Sequence, residues 1–268
     1  MKLHLQEQGE GLCTVFVHGF GGDLHSWDRL WPLLGASRHL LRYDLRDFGQ
    51  SLANSDEAFT HVEDLAALLS AKSITRCDLI GVSMGGGVAL RFALDHPELV
   101  RSLTLISPQI SGWEWSTPWA EEWQEIVLLA REGDMTSAKN LWWNHALFAT
   151  TRVSPAADAL RHEIECFAGR QWLRDNHEMV MPDIERLHEL QAPALLLTGV
   201  LDLEEFRLMA DIIEASVENV RRVDIEGAGH LLQMEVPETC ADHINAFIAQ
   251  QESPNGPGAL DGYVPPMA

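Results

Sequence analysis

The sequence predicts an α/β protein built on a mostly parallel, doubly wound β-sheet that is interrupted by an all-helical insertion. Short apolar runs typical of strands alternate with stretches of helical spacing, as in successive βαβ units. The strand runs lack strict alternation with polar residues, which is expected when helices cover both faces of a sheet. Between residues 111 and 190 there is no clear strand-like run, and the segments are amphipathic at helical spacing.

Five candidate strands lie in the first part of the chain. A weak run at residues 3–8 precedes a strong one at residues 12–17, and a third covers residues 39–44. The apolar runs CDLIGV at residues 77–82 and SLTLIS at residues 102–107 complete the set. Their apolar content and short length are typical of buried strands.

Helices are predicted between these strands. Residues 26–34 are interpreted as helical with Ser26 as the N-cap, because serine is favoured at that position. Residues 60–70 carry apolar side chains at helical spacing, and residues 84–96 continue directly from a strand. This alternation indicates parallel pairing with helical crossovers.

The α/β pattern resumes after the insertion. A strand is predicted at residues 192–199, a helix at 204–214, a strand at 220–227 and a closing helix at 237–250.

Three parts of the chain follow from this order. Residues 1–110 and 191–250 are expected to form one core domain, and residues 111–190 the helical insertion. Residues 251–268 are rich in proline and glycine, so we expect a flexible tail.

Composition excludes several classes of partner. The 268 residues are 46% hydrophobic and 22% charged, which is enough apolar material for a sizeable core. The net charge of −21 and the lack of a basic run argue against nucleic acid and anionic membranes as partners. No apolar run approaches the roughly 18 residues of a membrane span. The four cysteines are widely spaced and are interpreted as free thiols of a cytoplasmic protein that begins without a signal peptide.

The motif GVSMG at residues 81–85 predicts a nucleophile. Ser83 lies where a strand ends and a helix begins, with glycine two positions away on each side. A turn sharp enough to expose its hydroxyl leaves no room for side chains at those positions. The N–H groups at the start of the helix would face negative charge that forms above the serine. The alternative is a glycine-rich packing turn with an incidental serine.

A serine hydroxyl needs a base. Among twelve histidines, His230 stands in a glycine-rich loop after a predicted strand, at the sheet edge where sites in such folds lie. His18 is the rival, but it precedes a glycine-rich loop and is interpreted as shaping that loop.

An acid is needed to orient the imidazole. Asp202 is the first acidic residue past a predicted strand end and is the preferred candidate. Glu204 and Glu205 look like ordinary acids of a first helical turn. Asp224 lies within a predicted strand and remains a further alternative.

In these motifs the sequence resembles the α/β-hydrolase superfamily, whose nucleophile, acid and base follow one another in the order Ser83, Asp202, His230. The resemblance implies a serine hydrolase with a helical cap, similar to carboxylesterases, haloperoxidase-like proteins and carbon–carbon bond hydrolases. A serine nucleophile argues against haloalkane dehalogenase and epoxide hydrolase chemistry. The matching motifs are HGFGG at 18–22, DLRDFGQS at 44–51, GVSMGG at 81–86, GVLD at 199–202 and GAGH at 227–230.

The resemblance also implies an oxyanion hole formed by the backbone N–H groups of Phe20 and Met84. Asp44, Arg46 and Gly49 resemble a structural loop of the superfamily, and no chemistry is assigned to them. No metal or nucleotide motif is present, so no cofactor and no metal is expected. The expected partner is a small-molecule substrate, and the chain is expected to be a monomer or small homo-oligomer.

Tryptophan is concentrated in the insertion. These residues either pack the helices together or line an apolar pocket. Trp113, Trp142 and Trp143 are chosen as substrate-binding residues, together with Leu203 on fold geometry. The seven tryptophans of this segment are Trp113, Trp115, Trp119, Trp123, Trp142, Trp143 and Trp172.

The expected reaction is hydrolysis of a carboxylic ester, or a related lactone or thioester, through an acyl-enzyme. A carbon–carbon bond hydrolase uses the same machinery. A lyase is also considered, because HGFGGDLHSW at residues 18–27 resembles the menaquinone-pathway synthase that eliminates pyruvate. That family places an arginine four residues after the serine, where this chain has Gly87, and Arg91 lies one turn further on. A non-catalytic ligand-binding protein is the third reading.

Overall fold

The computed structural model describes residues 2–35, 38–52, 57–174, 176–178 and 181–252. The predicted tail therefore lies outside the described residues, except for its first two positions.

A seven-stranded sheet forms the centre of the molecule, with strand order β1-β3-β2-β4-β5-β6-β7. β1 pairs antiparallel with β3, and all other neighbours pair in parallel. This confirms the predicted fold class. The strands are β1 Leu5–Gln8, β2 Cys13–Val17, β3 His39–Tyr43, β4 Cys77–Val82, β5 Val100–Ile106, β6 Ala194–Gly199 and β7 Val220–Ile225.

Nine α-helices occur among the described residues, and none of them is long and apolar enough to cross a bilayer. Short 3-10 turns connect several of them. The helices are α1 His61–Ala71, α2 Met84–Asp95, α3 Thr117–Arg131, α4 Met135–Asn144, α5 Ala157–Cys166, α6 Arg170–Leu173, α7 Glu204–Ser216, α8 Leu232–Glu235 and α9 Pro237–Glu252.

The central strands are enclosed on both faces. Every residue of β2, β4, β5 and β6 is buried, which explains why apolar and polar residues do not strictly alternate in their sequences. Helix α2 packs against β4 and β5, and α9 packs against β5 and β6. The core therefore lies around the middle of the sheet.

Strand register brings the carboxyl ends of the parallel strands to one edge. Val17 at the end of β2 lies opposite Gly81 in β4, and Gly199 at the end of β6 lies opposite Ile225 at the end of β7. The loops after β2, β4, β6 and β7 therefore leave the sheet on the same side. These loops carry the residues singled out in the sequence.

The predicted helix at residues 26–34 is wrong. Two 3-10 turns, Leu24–Trp27 and Trp31–Leu33, replace it, and a proline inside the second turn removes a donor that a continuous helix would need. The cap of the first turn is Asp23, whose side chain accepts a backbone N–H, whereas Ser26 is buried inside the turn.

The segment between β5 and β6 contains α3 to α6 and several 3-10 turns. Within its described residues it contributes no strand to the sheet. Aromatic side chains of this segment contact Phe20 in the loop after β2, so they lie over the edge at which the parallel strands end.

Candidate active site

Ser83 occupies a strained turn between β4 and α2. Its φ of 54° and ψ of −123° lie in a region that residues with a β-carbon rarely adopt. Its N–H donates to the Ile106 carbonyl at 2.9 Å, and its own carbonyl accepts from the Gly87 N–H at 3.1 Å. The surrounding structure therefore fixes this conformation, a situation that is typical of functional sites.

Two glycines make this turn possible. A β-carbon added to Gly81 would lie 2.3 Å from the Gly85 carbonyl oxygen, and one added to Gly85 would lie 2.2 Å from the His18 carbonyl oxygen. Neither position can hold a side chain without moving the backbone. These distances agree with the expectation that the sharp turn leaves no room for a side chain at either glycine.

His230 and Asp202 form a buried pair. His230 follows β7 and Asp202 follows β6, and the imidazole Nδ1 lies 3.0 Å from Oδ2 and 3.1 Å from Oδ1 of the carboxylate. The two side chains are 1% and 0% exposed. The Leu203 N–H donates to Oδ1 at 2.7 Å, which holds the carboxylate in place. The pair thus orients Nδ1 toward Asp202 and leaves Nε2 free to act on another group.

Ser83 and His230 line one cavity. The buried Nε2 of His230 has no hydrogen-bond partner among the described residues, and no hydrogen bond joins it to the Ser83 hydroxyl. Hydrogen bonds between catalytic groups are often long before substrate binds and shorten afterwards. The two side chains can therefore act on the same bound molecule.

His18 shapes the loop beside Ser83. Its Nε2 accepts the Leu45 N–H at 2.9 Å, so Nδ1 carries the proton and donates to the Gly19 carbonyl at 2.8 Å. Burial lowers the pKa of His18, which favours this neutral form. A β-carbon on Gly19 would lie 3.3 Å from the Ser83 β-carbon, so the loop passes directly beside the serine.

Phe20 and Met84, the two predicted oxyanion-hole residues, both border the cavity with Ser83. Within the described ranges neither backbone N–H donates a hydrogen bond to the protein. Both donors are therefore available to an oxygen atom of a bound molecule.

The Phe20 side chain anchors this loop to the helical segment. Its ring centroid lies 5.1 Å from that of Trp123, 5.8 Å from that of Trp142 and 5.4 Å from that of Phe167. All three contacts are edge-to-face, the geometry preferred by aromatic pairs. The position of the Phe20 N–H thus depends on the helices above it.

The cavity has a volume of about 920 Å³. This is at the upper end of the range for small-molecule sites, roughly 300–1,000 Å³. Its wall is mainly apolar and includes Trp115, Trp119, Trp123, Trp142 and Phe206.

The four predicted substrate-binding residues separate in the structure. Trp142 lines the cavity, whereas Trp113, Trp143 and Leu203 are not among the residues that border it. Adjacent helical residues point about 100° apart, so only one of the pair in α4 can face inward. Trp143 instead lies beneath the Arg161 guanidinium, 5.2 Å from its ring centroid.

Sequence reasoning missed several wall residues. Trp119 and Trp123 lie four positions apart on α3 and share one face, a spacing that favours a common environment. Glu163 was missed although Leu160 and Ile164 lie on the same face of α5. An acid on an otherwise apolar helix face is the signal that marks it.

The Asp44 loop is structural. Asp44 accepts the Leu24 N–H at 2.8 Å and the Gln50 N–H at 2.7 Å, and Gly49 has a φ of 49°. Arg46 pairs with Asp64. These contacts agree with the view that the loop carries no chemistry.

No cluster of three or more potential metal ligands occurs in the described part of the chain. All four cysteines are free, as expected; Cys166 is exposed and the other three are buried.

Comparison with known proteins agrees with the fold. The model of the alpha/beta hydrolase fold family matches residues 15–139. The chain has the α/β-hydrolase fold. Its strand order, its turn at Ser83 and the resemblance expected from the sequence motifs agree with this assignment.

The proteins that are similar to this chain are named for different activities. It is 33% identical to 2-hydroxymuconate semialdehyde hydrolase of Pseudomonas sp. (strain CF600) over 112 residues, which cover only 40% of each chain. It is 28% identical to 2-succinyl-6-hydroxy-2,4-cyclohexadiene-1-carboxylate synthase of Salmonella typhimurium over 91% of this chain and 98% of the relative. The structure of a thermophilic esterase from Thermogutta terrifontis superposes with a TM-score of 0.73, at 25% identity, covering 92% and 93% of the two chains.

Proposed function

We propose that this α/β-hydrolase cleaves a carboxylic ester, or a related lactone or thioester, of a small apolar substrate through an acyl-enzyme. The observation that carries the proposal is a serine in a strained turn that shares an apolar cavity with a buried histidine, and this histidine is paired with a buried aspartate. This combination supplies a nucleophile, a base and an orienting acid.

Acylation begins at Ser83. The hydroxyl oxygen attacks the acyl carbon while His230 Nε2 accepts its proton. Asp202 keeps Nδ1 protonated and stabilises the imidazolium that forms. The imidazolium then gives its proton to the leaving group as the bond to the acyl carbon breaks.

The oxygen that becomes negative in the tetrahedral intermediate needs donors. The N–H groups of Phe20 and Met84, two residues that border the cavity with Ser83, are the proposed pair. Removal of one such donor typically reduces the rate by about 10²–10³. Water, activated by His230 in the same way, then releases the acid and restores the serine.

A small apolar substrate fits the wall of the cavity. Tryptophan and phenylalanine side chains from both the sheet edge and the helical segment surround it. Such walls favour acyl or aromatic groups, while a few polar atoms set their orientation.

The lyase alternative is less well supported. It requires a cation for a substrate carboxylate, and Arg91 is the buried candidate that borders the cavity. Its Nε lies 2.6 Å from Asp183 Oδ1, and its terminal nitrogens contact Asp95 and the Met181 carbonyl. A guanidinium already neutralised in this way is a poor partner for a second carboxylate.

The test is hydrolysis of p-nitrophenyl esters from acetate to long acyl chains. Wild type, Ser83→Ala and Ser70→Ala are compared, the last being an exposed serine of α1. We expect turnover in wild type and Ser70→Ala, and loss of turnover in Ser83→Ala. The best chain length then measures the usable depth of the cavity.

A second arm separates ester from carbon–carbon bond cleavage. 2-Hydroxymuconate semialdehyde, the compound in the name of one relative, is offered to the same variants. Ser83-dependent turnover of this compound with no turnover of any ester would replace the ester proposal. Activity that survives Ser83→Ala would overturn the mechanism itself.

A further inference from the structure

Glu163 places a carboxyl group on an otherwise apolar face of α5 that borders the cavity. It lies on α5 between Leu160 and Ile164, and all three residues border the cavity. An acid on an apolar helix face needs a polar partner or a function, because burial of an unpaired charge is costly.

The partner of Glu163 is a hydroxyl group. Ser26 donates to Oε1 at 2.6 Å, whereas Oε2 has no hydrogen-bond partner in the part of the chain that the structure describes. A β-carbon added to Gly22 would lie 2.2 Å from Oε1. The carboxyl therefore touches the backbone of the loop that carries Phe20, and one of its oxygens stays free.

The charges that face Glu163 are acidic. Asp23 and Asp28, from the segment packed against α5, both disfavour a negative charge on Glu163, and no cation of the described residues pairs with it. Burial is the main cause that raises the pKa of Glu163 to about 8. At pH 7 the carboxyl is therefore mostly protonated, and it can donate a hydrogen bond from its free oxygen.

Gln233 provides a second, independent observation. It borders the same cavity and is 1% exposed, yet neither its amide nitrogen nor its amide oxygen has a partner among the described residues. Its helix, α8, packs against the Leu24–Trp27 turn that carries Ser26. Buried amides without partners are rare in native proteins, so this one points to a ligand atom.

We propose that Ser26, Glu163 and Gln233 form a recognition site for an uncharged oxygen-bearing group, a ketone, ether or hydroxyl, on the substrate. This inference rests on the proposed ester hydrolysis and names its substrate class: oxygenated rather than purely alkyl acyl compounds. The free carboxyl oxygen donates to the substrate oxygen, and the Gln233 amide supplies a further donor. The acidic neighbours exclude an anionic group from this site.

The test uses pairs of p-nitrophenyl esters. Each oxoalkanoate, with the ketone at successive positions along the chain, is compared with the alkanoate of the same length. The readout is the ratio of kcat/KM within a pair, which cancels every pH effect that is common to the hydrolysis of both esters. At pH 7 we expect wild type to prefer at least one oxo position about tenfold, the effect of one modest hydrogen bond.

The pH dependence and the variants identify the donor. In wild type the preference falls as pH rises through about 8, because the ionised carboxylate can no longer donate. Glu163→Gln keeps a donor that does not titrate, so it retains a preference that is independent of pH. Glu163→Leu loses the preference. The control Glu165→Gln changes an exposed acid of the same helix, paired with Arg161, and leaves both the preference and its pH dependence intact.

Two results would overturn the inference: no oxo position is preferred by wild type, or the preference persists in Glu163→Leu. A failure of the proposed function looks different, since wild type would then hydrolyse neither member of any pair. Thermal melting of each variant establishes that it is folded before its ratio is interpreted.

Discussion

Glu235 accepts the Gly229 N–H at 2.6 Å, and Gly229 immediately precedes His230. The other carboxylate oxygen of Glu235 accepts the Thr151 hydroxyl at 2.5 Å. Glu235 and Thr151 are both buried. One carboxylate therefore joins the loop of the proposed base to the helical segment above the sheet.

Glu235→Gln is expected to weaken this link. The neutral amide offers one acceptor oxygen where the carboxylate offers two, so the two charge-assisted hydrogen bonds are replaced by weaker, neutral ones. We expect a loss of about 1–3 kcal/mol in the free energy of unfolding, measured with urea, and a fall in kcat. Glu238→Gln, an exposed acid of the neighbouring helix α9, is the control. Equal stability and activity in the two variants would show that the link has no such role.

Asp202→Asn is expected to lower kcat by about 10³–10⁴ while KM changes little. Asparagine can donate to Nδ1 and thereby favour the wrong tautomer of His230, which lowers kcat. Residue 202 does not border the cavity, so KM should change little. The matched control is Asp224→Asn, since Asp224 is the exposed alternative acid and bonds to Arg222. The measurement is kcat and KM on the best ester. A fall in kcat of less than tenfold in Asp202→Asn would remove Asp202 from the mechanism.

Gly85→Ala is expected to prevent correct folding, because its β-carbon would lie 2.2 Å from the His18 carbonyl oxygen. The control is Gly133→Ala. Gly133 has a φ of 91° but nothing within 4 Å of an added β-carbon, so only backbone strain of about 1–2 kcal/mol is expected. Soluble yield and Tm compare the two. A Gly85→Ala protein as stable as Gly133→Ala would contradict the described turn.

One thiol per native chain is expected to react with a disulfide reagent at pH 8. Cys166 is exposed, whereas burial raises the pKa of Cys13 and of Cys240 to about 12 and that of Cys77 well above its usual value. Since the thiolate is the reacting form, the buried three should stay silent. Denaturant should release all four, and more than one fast thiol in the native protein would contradict this burial.

Much of the fold was predictable because its signals are local. The strand-like runs located all seven strands, and the glycines beside Ser83 marked the turn, since both signals lie in residues that are close together in the sequence. The same applies to Asp202 and His230, each of which follows a strand end. The shared edge of a parallel sheet then brings such loops together.

The cavity wall was not predictable in the same way. Which of Trp142 and Trp143 faces inward depends on the rotation of α4, and that is set by long-range packing against Phe20. The helix expected at residues 26–34 is replaced by two 3-10 turns, and Ser26 in the first turn contacts Glu163, a residue far away in the sequence. The sequence pattern around one residue does not indicate a contact with a residue so far away in the chain.

The most direct test of the central claim is to locate the covalent bond. The protein is treated with a fluorophosphonate, which phosphonylates activated serines with loss of fluoride. The adduct is mapped by mass spectrometry of peptides, and residual esterase activity is measured alongside. The account predicts one adduct per chain, on Ser83, with activity lost in proportion to labelling and no adduct in Ser83→Ala. An adduct at another residue, or full activity after Ser83 is labelled, would contradict it.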